Sequence, residues 1–460
     1  MKKAYIETYG CQMNISDSEL MHGILAEGGY ATATTPEEAD VILVNTCAIR
    51  DHAEQRVLGR VGQLQQYRET NPGLVIGVTG CMAQRLGEDL LVKAGGVDLV
   101  MGPDAYRALP DAIRSISPDS GGAANGALPV LPRSPSQVGG GLTVLGFDPF
   151  ENYEGVAPRR ISKVSAWVPV QRGCNYRCTY CIVPYVRGDE KNRAPEQILA
   201  EVRELADAGI AEVTLLGQTV NSYEREDWDF PRLLRAVARV DGVRRVRFTS
   251  PHPNDFTRDL VEVMAEEPNV CKQLHLPVQS GHDRTLKRML RRYTVAEYLE
   301  KIEWVREAIP GIALSTDVIV AFPGETGEEF EATLELMKLV RFDDAFMYKY
   351  SVRKGTPATR LPKEQFIPES ESQGRLERLI ALQREIQAEI YGSEVGRTVQ
   401  VLVEKTARRG GLQGRTEGNK VVSFPGPIEL IGTFVAVRLV STSGSTFTGE
   451  MTDRKLGRVA

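Results

Sequence analysis

Short apolar runs alternate with longer stretches of helical period through the first hundred residues. Runs at 4–9, 41–44 and 74–78 read as buried strands, while 17–28 and 51–67 carry apolar residues at helical spacing. Alternation of this kind builds a parallel sheet whose strands end on one edge. From about 115 to 160 the period disappears and Gly, Pro and Ser dominate, including the runs 121–126 and 139–141, which predicts a flexible linker. Within it the acidic and aromatic stretch 148–153 is expected to dock on a neighbour. Strand and helix then alternate again: a strand over 164–171, a helix over 195–209, and strands at 212–216, 244–248, 273–276, 312–320 and 345–350 with helical segments between. Six such units make a barrel short of the eight of a full one, leaving a wide lateral mouth that suits a macromolecular substrate. The stretch 375–391 reads as a long helix ended by Gly392, and beyond 394 short alternating strands, such as 398–403 and 435–440, predict a small β-barrel. The expected fold class is therefore α/β, in three domains: an N-terminal parallel α/β domain (2–116), then the linker (117–159), a central partial (β/α)6 barrel (160–391) and a small C-terminal β-barrel (393–457).

The cysteines change this picture most. Cys174, Cys178 and Cys181 form a C-x3-C-x2-C triplet with no fourth cysteine nearby. Three thiolates can hold three irons of a cubane and leave the fourth open to a small ligand, whereas a four-cysteine cluster normally only carries electrons. The competing reading is zinc completed by a distant histidine, but structural zinc favours paired ligands and four filled positions, and none of His22, His52, His252, His275 and His282 lies in an HxxxH pair. Cys11, Cys47 and Cys81 each follow one of the three apolar runs of the first domain. If those runs are parallel strands, three cysteines far apart in sequence converge on one sheet edge, where open α/β sheets bind ligands. Each is preceded by Gly or Thr, which eases close approach of the backbone to a bulky ligand. The competing reading here is three ordinary buried thiols, and Cys271, which has no such partners, is read as core.

Composition and charge agree with a multidomain cytoplasmic enzyme. The 460 residues suffice for about three domains. No apolar run approaches a membrane span, and the N-terminus runs into a strand rather than a signal peptide. Seven cysteines grouped as three, three and one suit metal ligation in a reducing compartment better than disulfides. Net charge is −5, so any nucleic-acid surface must be local. From residue 394 onward ten Lys and Arg stand against six acids, which makes Arg408, Arg409, Arg415 and Lys420 candidate RNA contacts, with solvated surface charge as the alternative. Gln218, Asn221, Gln279 and Ser280 fall at expected strand ends of the barrel, where such folds place chemistry; ordinary caps and turns use the same residue types.

The motifs together resemble one family. Tyr9-Gly10-Cys11-Gln12-Met13-Asn14, Asn45-Thr46-Cys47, Gly80-Cys81, the triplet loop running into Ile182-Val183-Pro184-Tyr185-Val186-Arg187-Gly188, Leu216-Gly217-Gln218-Thr219-Val220-Asn221, and Leu276-Pro277-Val278-Gln279-Ser280-Gly281 are similar to the methylthiotransferases among the radical S-adenosylmethionine (SAM) enzymes. The tail, with Gly414-Arg415-Thr416 and Asn419-Lys420-Val421-Val422, resembles their TRAM domain. The signature at 9–14 is similar to the branch acting on N6-isopentenyladenosine at position 37 of tRNA; Thr219 stands where that branch usually has asparagine, and the linker is longer. The resemblance implies two 4Fe-4S clusters, one on Cys11, Cys47 and Cys81 that handles the donated sulfur and one on Cys174, Cys178 and Cys181 that reductively cleaves SAM. It also implies Tyr180 against SAM, the anticodon stem-loop of tRNA as substrate, a flavodoxin or ferredoxin as electron donor, and a monomer free of the membrane. Other readings remain open at this point: a methylthiotransferase acting on threonylcarbamoyl-adenosine in tRNA or on a ribosomal-protein aspartate, a non-catalytic two-cluster electron carrier, and a zinc-stabilised RNA-binding module.

Overall fold

A computed structural model describes residues 1–48, 51–117, 136–138 and 140–452, which fall into two compact units. The first comprises Met1–Ile161, Gln171–Tyr176 and Cys181–Arg193; the second comprises Ser162–Val170, Arg177–Tyr180 and the chain from Ala194.

The apolar runs of the first unit are strands of one sheet; those at 41–46 and 75–80 are buried on both faces, which is why their apolar residues run on rather than alternate, while the one at 3–9 is mostly half-buried. Its strands are β1 (Lys3–Tyr9), β2 (Ala31–Thr32), β3 (Val41–Thr46), β4 (Val75–Gly80), β5 (Leu99–Met101), β6 (Ser136–Val138) and β7 (Gly141–Val144), in the order β2-β1-β3-β4-β5-β7-β6. Every pairing in it is parallel except β6 with β7. Helices α1 (Gln12–Glu27) and α5 (Leu109–Ile116) cover one face, where Met21, Ile24 and Ile113 meet Leu43 and Leu99. Helices α2 (Asp51–Leu64), α3 (Cys81–Leu86) and α4 (Asp89–Lys93) belong to the other, where Val61, Met82 and Leu90 meet Ile42, Val44 and Val78. The antiparallel pair β9 (Gln171–Arg172) and β10 (Lys191–Asn192) and the short α6 (Val183–Arg187) complete the unit.

The linker expected at 117–159 needs correction. Residues 118–135 and 139 lie outside the described residues, but β7 pairs in parallel with β5 and is buried along its length. Tyr153 is buried against Tyr106, donates from its hydroxyl to the Pro103 carbonyl at 2.6 Å and accepts from the Tyr106 amide at 3.0 Å. The docking expected of 148–153 is thus made on the first unit's own surface. A four-residue strand is too short to show a period among glycines, so composition hid it.

In the second unit six parallel strands form two half-sheets, β14-β11-β8 and β15-β16-β17. They are β8 (Ser165–Pro169), β11 (Glu212–Leu216), β14 (Arg245–Phe248), β15 (Gln273–His275), β16 (Ala313–Val320) and β17 (Asp344–Lys349), and a parallel bridge between Val246 and Val270 joins the halves. Helices α7 (Pro195–Asp207), α8 (Phe230–Ala238), α9 (Arg258–Glu266), α10 (Asp283–Arg288), α11 (Val295–Ala308) and α12 (Gly327–Val340) alternate with them, and β12 (Glu224–Arg225) pairs with β13 (Trp228–Asp229). The helix starts are chemically marked: Thr294 with Glu297 and Thr326 with Glu329 form capping boxes. Along β16, Leu314, Val318 and Val320 join the core shared with the helices, while Ser315, Asp317 and Ile319 take the opposite face. Helix α13 runs Glu369–Glu394, passing through Gly392 rather than stopping there; a single helical glycine costs only about 1 kcal/mol.

A closed barrel follows, β18 (Thr398–Thr406), β19 (Leu412–Thr416), β20 (Val421–Phe424), β21 (Phe434–Ser443) and β22 (Thr446–Met451), with Tyr391 of α13 stacked on Phe447 at its base. Two buried arginines fasten it to the base of the half-sheet: Arg245 donates to the Gln400 and Arg415 carbonyls, Arg247 to those of Thr416 and Glu417. Residues 453–460 lie outside the described residues. No helix among the described residues is long and apolar enough to cross a membrane.

Candidate functional site

Strands β1, β3 and β4 are neighbours, and their register aligns Tyr9 with Thr46 and Thr46 with Gly80. Cys47 and Cys81 are the next residues of their strands, and Cys11 caps the start of α1, so the three sequence-distant thiols gather at one sheet edge. Glycine makes the approach possible. Gly80 has φ +91°, and a Cβ there would sit 2.5 Å from the Thr46 carbonyl; one at Gly10 would sit 2.9 Å from the Cys47 Cβ. A hydrogen bond with Cys47 brings the pKa of the Cys11 thiol down to about 6 against the opposing effect of burial, whereas burial pushes that of Cys81 up. Asn14, fully buried, ties the loops together: its Oδ1 accepts from the Cys11 amide at 3.3 Å and its Nδ2 donates to the Thr46 carbonyl at 3.2 Å.

Behind these thiols stands a buried ionic group that sequence reasoning missed. Asp17 accepts from Arg172 Nη2 and Arg187 Nη2, both at 2.7 Å, and Arg187 Nε donates to Cys81 Sγ at 3.2 Å. Arg172 also lies over the Tyr153 ring, and beside it Lys191 pairs with Asp104 at 2.6 Å. The only available signal was position: Arg172-Gly173 and Arg187-Gly188 flank the cysteine triplet.

The triplet loop is pinched at its neck. The Cys174 amide donates to the Gly188 carbonyl at 3.2 Å, and Gly173, at φ +77°, has no room for a Cβ, which would fall 2.0 Å from the Asp189 carbonyl oxygen. Cys174 and Cys178 are buried and Cys181 half-buried. In the second unit the buried Arg291 donates from Nη1 to Cys178 Sγ at 3.6 Å, its fork held by the Pro277 carbonyl and the Tyr293 hydroxyl. Thr179 is fixed to the Arg288 carbonyl, and Tyr180 packs on Met289, Phe322 and Ala358. Among the described residues no three His, Cys, Asp or Glu side chains are grouped so as to hold one metal ion between them. A cubane is different, because each thiolate binds its own iron.

The remaining barrel candidates divide. Gln218 Oε1, just past β11, and Ser280 Oγ, just past β15, are buried without partners, which suits strand-end groups that await a polar ligand. Gln279 serves the fold through its backbone, which at φ +69° continues the pairing to Asp317 and Ile319. Asn221, expected to contact a cofactor, instead spends its amide on its own fold: Nδ2 donates to the His252 carbonyl at 2.9 Å and Oδ1 accepts from the His252 amide at 2.6 Å. On the face of β16 opposite the helices, His275 bonds Ser315 at 3.0 Å, lies 3.5 Å from Asp317 and meets Phe346 edge to face.

Of the four basic candidates in the C-terminal barrel, Arg408 and Arg409 are exposed in the turn between β18 and β19. Arg415 is half-exposed and held by Asn419 at 3.0 Å and Glu404 at 3.4 Å. Lys420 corrects the expectation: it is buried over the Tyr391 ring and paired at 2.5 Å with both Asp343 and Glu394, so it mounts the barrel rather than facing RNA. Lys420→Met should therefore cost about 2 kcal/mol in urea unfolding, less than a fully buried pair because both carboxylates reach water.

The sequence profile described as the radical SAM superfamily matches residues 168–337, that of the TRAM domain matches 392–452, and that of the uncharacterized protein family UPF0004 matches 3–102. The chain is 42% identical over 458 residues to a tRNA-2-methylthio-N(6)-dimethylallyladenosine synthase of Chlorobium limicola, covering 99% of each chain. It is 44% identical over 459 residues to a protein of the same name from Phocaeicola vulgatus, covering 98% of this chain and 96% of that one. Among solved structures, the radical S-adenosylmethionine methyltransferase TsrM of Kitasatospora setae, with cobalamin and a 4Fe-4S cluster bound, superposes with TM-score 0.56 at 14% identity over 78% of this chain and 77% of that one. The cobalamin-dependent radical enzyme OxsB gives TM-score 0.55 at 14% identity over 82% of this chain and 56% of that one. At that identity the likeness is one of fold.

Proposed function

The chain belongs to the tRNA-2-methylthio-N(6)-dimethylallyladenosine synthases of the radical SAM superfamily, and from that premise we propose that it places a methylthio group on C2 of N6-isopentenyladenosine at position 37 of tRNA, using two 4Fe-4S clusters and two molecules of SAM in separate roles. The observation that carries the two-cluster reading is the gathering of Cys11, Cys47 and Cys81 at the ends of adjacent parallel strands, apart in sequence from the triplet Cys174, Cys178 and Cys181. Cys174, Cys178 and Cys181 would hold a cluster that supplies one-electron reductive cleavage of SAM, and Cys11, Cys47 and Cys81 one that supplies a site for exchangeable sulfur.

Radical chemistry is what the target requires. The C2–H of adenine is neither acidic nor electrophilic enough for general-base attack, so no side chain of the barrel is asked to take that proton. The chain's own residues bind, orient and exclude water. Gln218 and Ser280 offer buried polar atoms to SAM, Tyr180 and its apolar neighbours wall the loop, and Arg291 holds the Cys178 sulfur in place with a hydrogen bond. The carbonyl-anchored C-terminal barrel holds Arg408 and Arg409 out to the RNA backbone. A one-electron donor of the flavodoxin or ferredoxin class completes the system, and the enzyme works as a cytoplasmic monomer.

The reaction is tested by incubating anaerobically reconstituted protein with SAM, dithionite and an anticodon stem-loop carrying N6-isopentenyladenosine, then weighing the digested nucleosides. A methylthio adduct is expected. Deoxyadenosine without it would move the substrate to threonylcarbamoyl-adenosine or a ribosomal-protein aspartate. The Arg408→Ala/Arg409→Ala protein should bind the same stem-loop with a flatter dependence of log K on log salt, by about 0.7 for each phosphate no longer neutralised. Anisotropy titrations across a salt series would show it, and an unchanged slope would remove this turn from the RNA surface.

A further inference from the structure

Arg187 is buried to 4% exposure and its guanidinium has three directions to satisfy. Nη2 donates to Asp17 and Nε to Cys81 Sγ, but Nη1 is buried with no partner. Asp17 is shared, because its other carboxylate oxygen accepts from Arg172. The adjoining Lys191 and Asp104 neutralise each other. Two guanidiniums, one ammonium and two carboxylates leave one positive charge that only the cysteine side can match, in a desolvated place. An unpaired buried ion costs several kcal/mol, and a merely structural tie between α6 and α1 needs neither a surplus charge nor an idle N–H.

We propose that Arg187 is the counter-charge of the iron–sulfur group held by Cys11, Cys47 and Cys81, and that it raises that group's reduction potential. The inference rests on the assignment of those cysteines in the preceding section. A cubane core of charge 2+ bound by three thiolates is an anion of charge −1 and becomes more negative on reduction. It matches the surplus, and its sulfurs are acceptors for Nη1. A hydrogen bond to a ligand sulfur and a buried cation beside it both stabilise the reduced, more negative state. Arg187 acts through a ligand and is a positioning residue; Asp17 and Arg172 fix its fork.

The test uses the full-length chain carrying Cys174→Ala, Cys178→Ala and Cys181→Ala, so that the remaining triplet is observed alone. Iron and sulfide content, electron paramagnetic resonance and a redox titration are recorded for this background and with Arg187→Gln or Arg187→Lys added. We expect a loaded cluster in all three. Arg187→Gln should reduce the one-electron equilibrium constant at least tenfold, about 59 mV, and Arg187→Lys should recover part of it. A loaded Arg187→Gln cluster with an unchanged potential would overturn the proposal. Should Arg187→Gln fail to hold iron, Arg187→Lys decides: recovered loading with an intermediate potential supports a charge role, and continued failure marks the arginine as structural and overturns it. A background that holds no iron at all would instead refute the cysteine assignment itself.

Discussion

Cys178→Ala should abolish 5′-deoxyadenosine formation, by at least about a thousandfold, while the protein keeps about half of its iron, that of the other triplet. The expectation has two physical sources. The loop offers three thiolates, so losing one leaves two irons without protein ligands instead of one usefully open. The substitution also strands Arg291, whose Nη1 donates to that sulfur from a buried site and would keep no acceptor there. Chromatography of SAM-cleavage products under dithionite measures the first effect and metal analysis the second. Deoxyadenosine at the parent rate from a fully loaded variant would show that this loop is not where SAM is cleaved.

The opposite uncoupling is expected of Cys47→Ala: deoxyadenosine is still made, and methylthiolated nucleoside falls below detection. The substitution is a mild one for the fold, since Cys47 is half-buried at the end of β3 and Gly10, not the sulfur, makes the close packing there. Product formation and SAM cleavage measured in the same reaction give the result as a ratio, so a general loss of folded protein cannot imitate it. Methylthiolated product from this variant would remove Cys47 from the sulfur-handling group.

Both experiments concern residues that are legible in the sequence alone. Strands buried on both faces leave apolar runs, as at 41–44 and 74–78, and a cysteine two or three residues beyond each run reports its own place on the sheet edge. The six barrel strands are readable for a related reason: each is bounded by a helix of clear amphipathic period, with Thr294 and Thr326 marking starts. What escapes is either too short or too distant. Strand β7 has four residues among glycines, and Tyr153 anchors its neighbourhood through one hydroxyl. Lys420 looks like its exposed basic neighbours because nothing local says that Asp343 and Glu394 close over it. Asn221 carries the right chemistry for a ligand, yet its amide is consumed by a backbone 31 residues away. The Asp17–Arg172–Arg187 group is the extreme case, joining positions 155 and 170 residues apart without any local pattern.

That group also imposes an order on biosynthesis. A ribosome translates Asp17 and the strands that carry the three cysteines long before it reaches Arg172 and Arg187, and until then Asp17 lacks both of its arginine partners. At elongation rates of about 5–20 residues per second, the 170 residues from Asp17 to Arg187 take roughly ten to thirty seconds to translate, and the 106 from Cys81 to Arg187 roughly five to twenty. The interval between translation of Cys81 and of Arg187 is the time during which all three thiols exist without the guanidinium that later stands behind them.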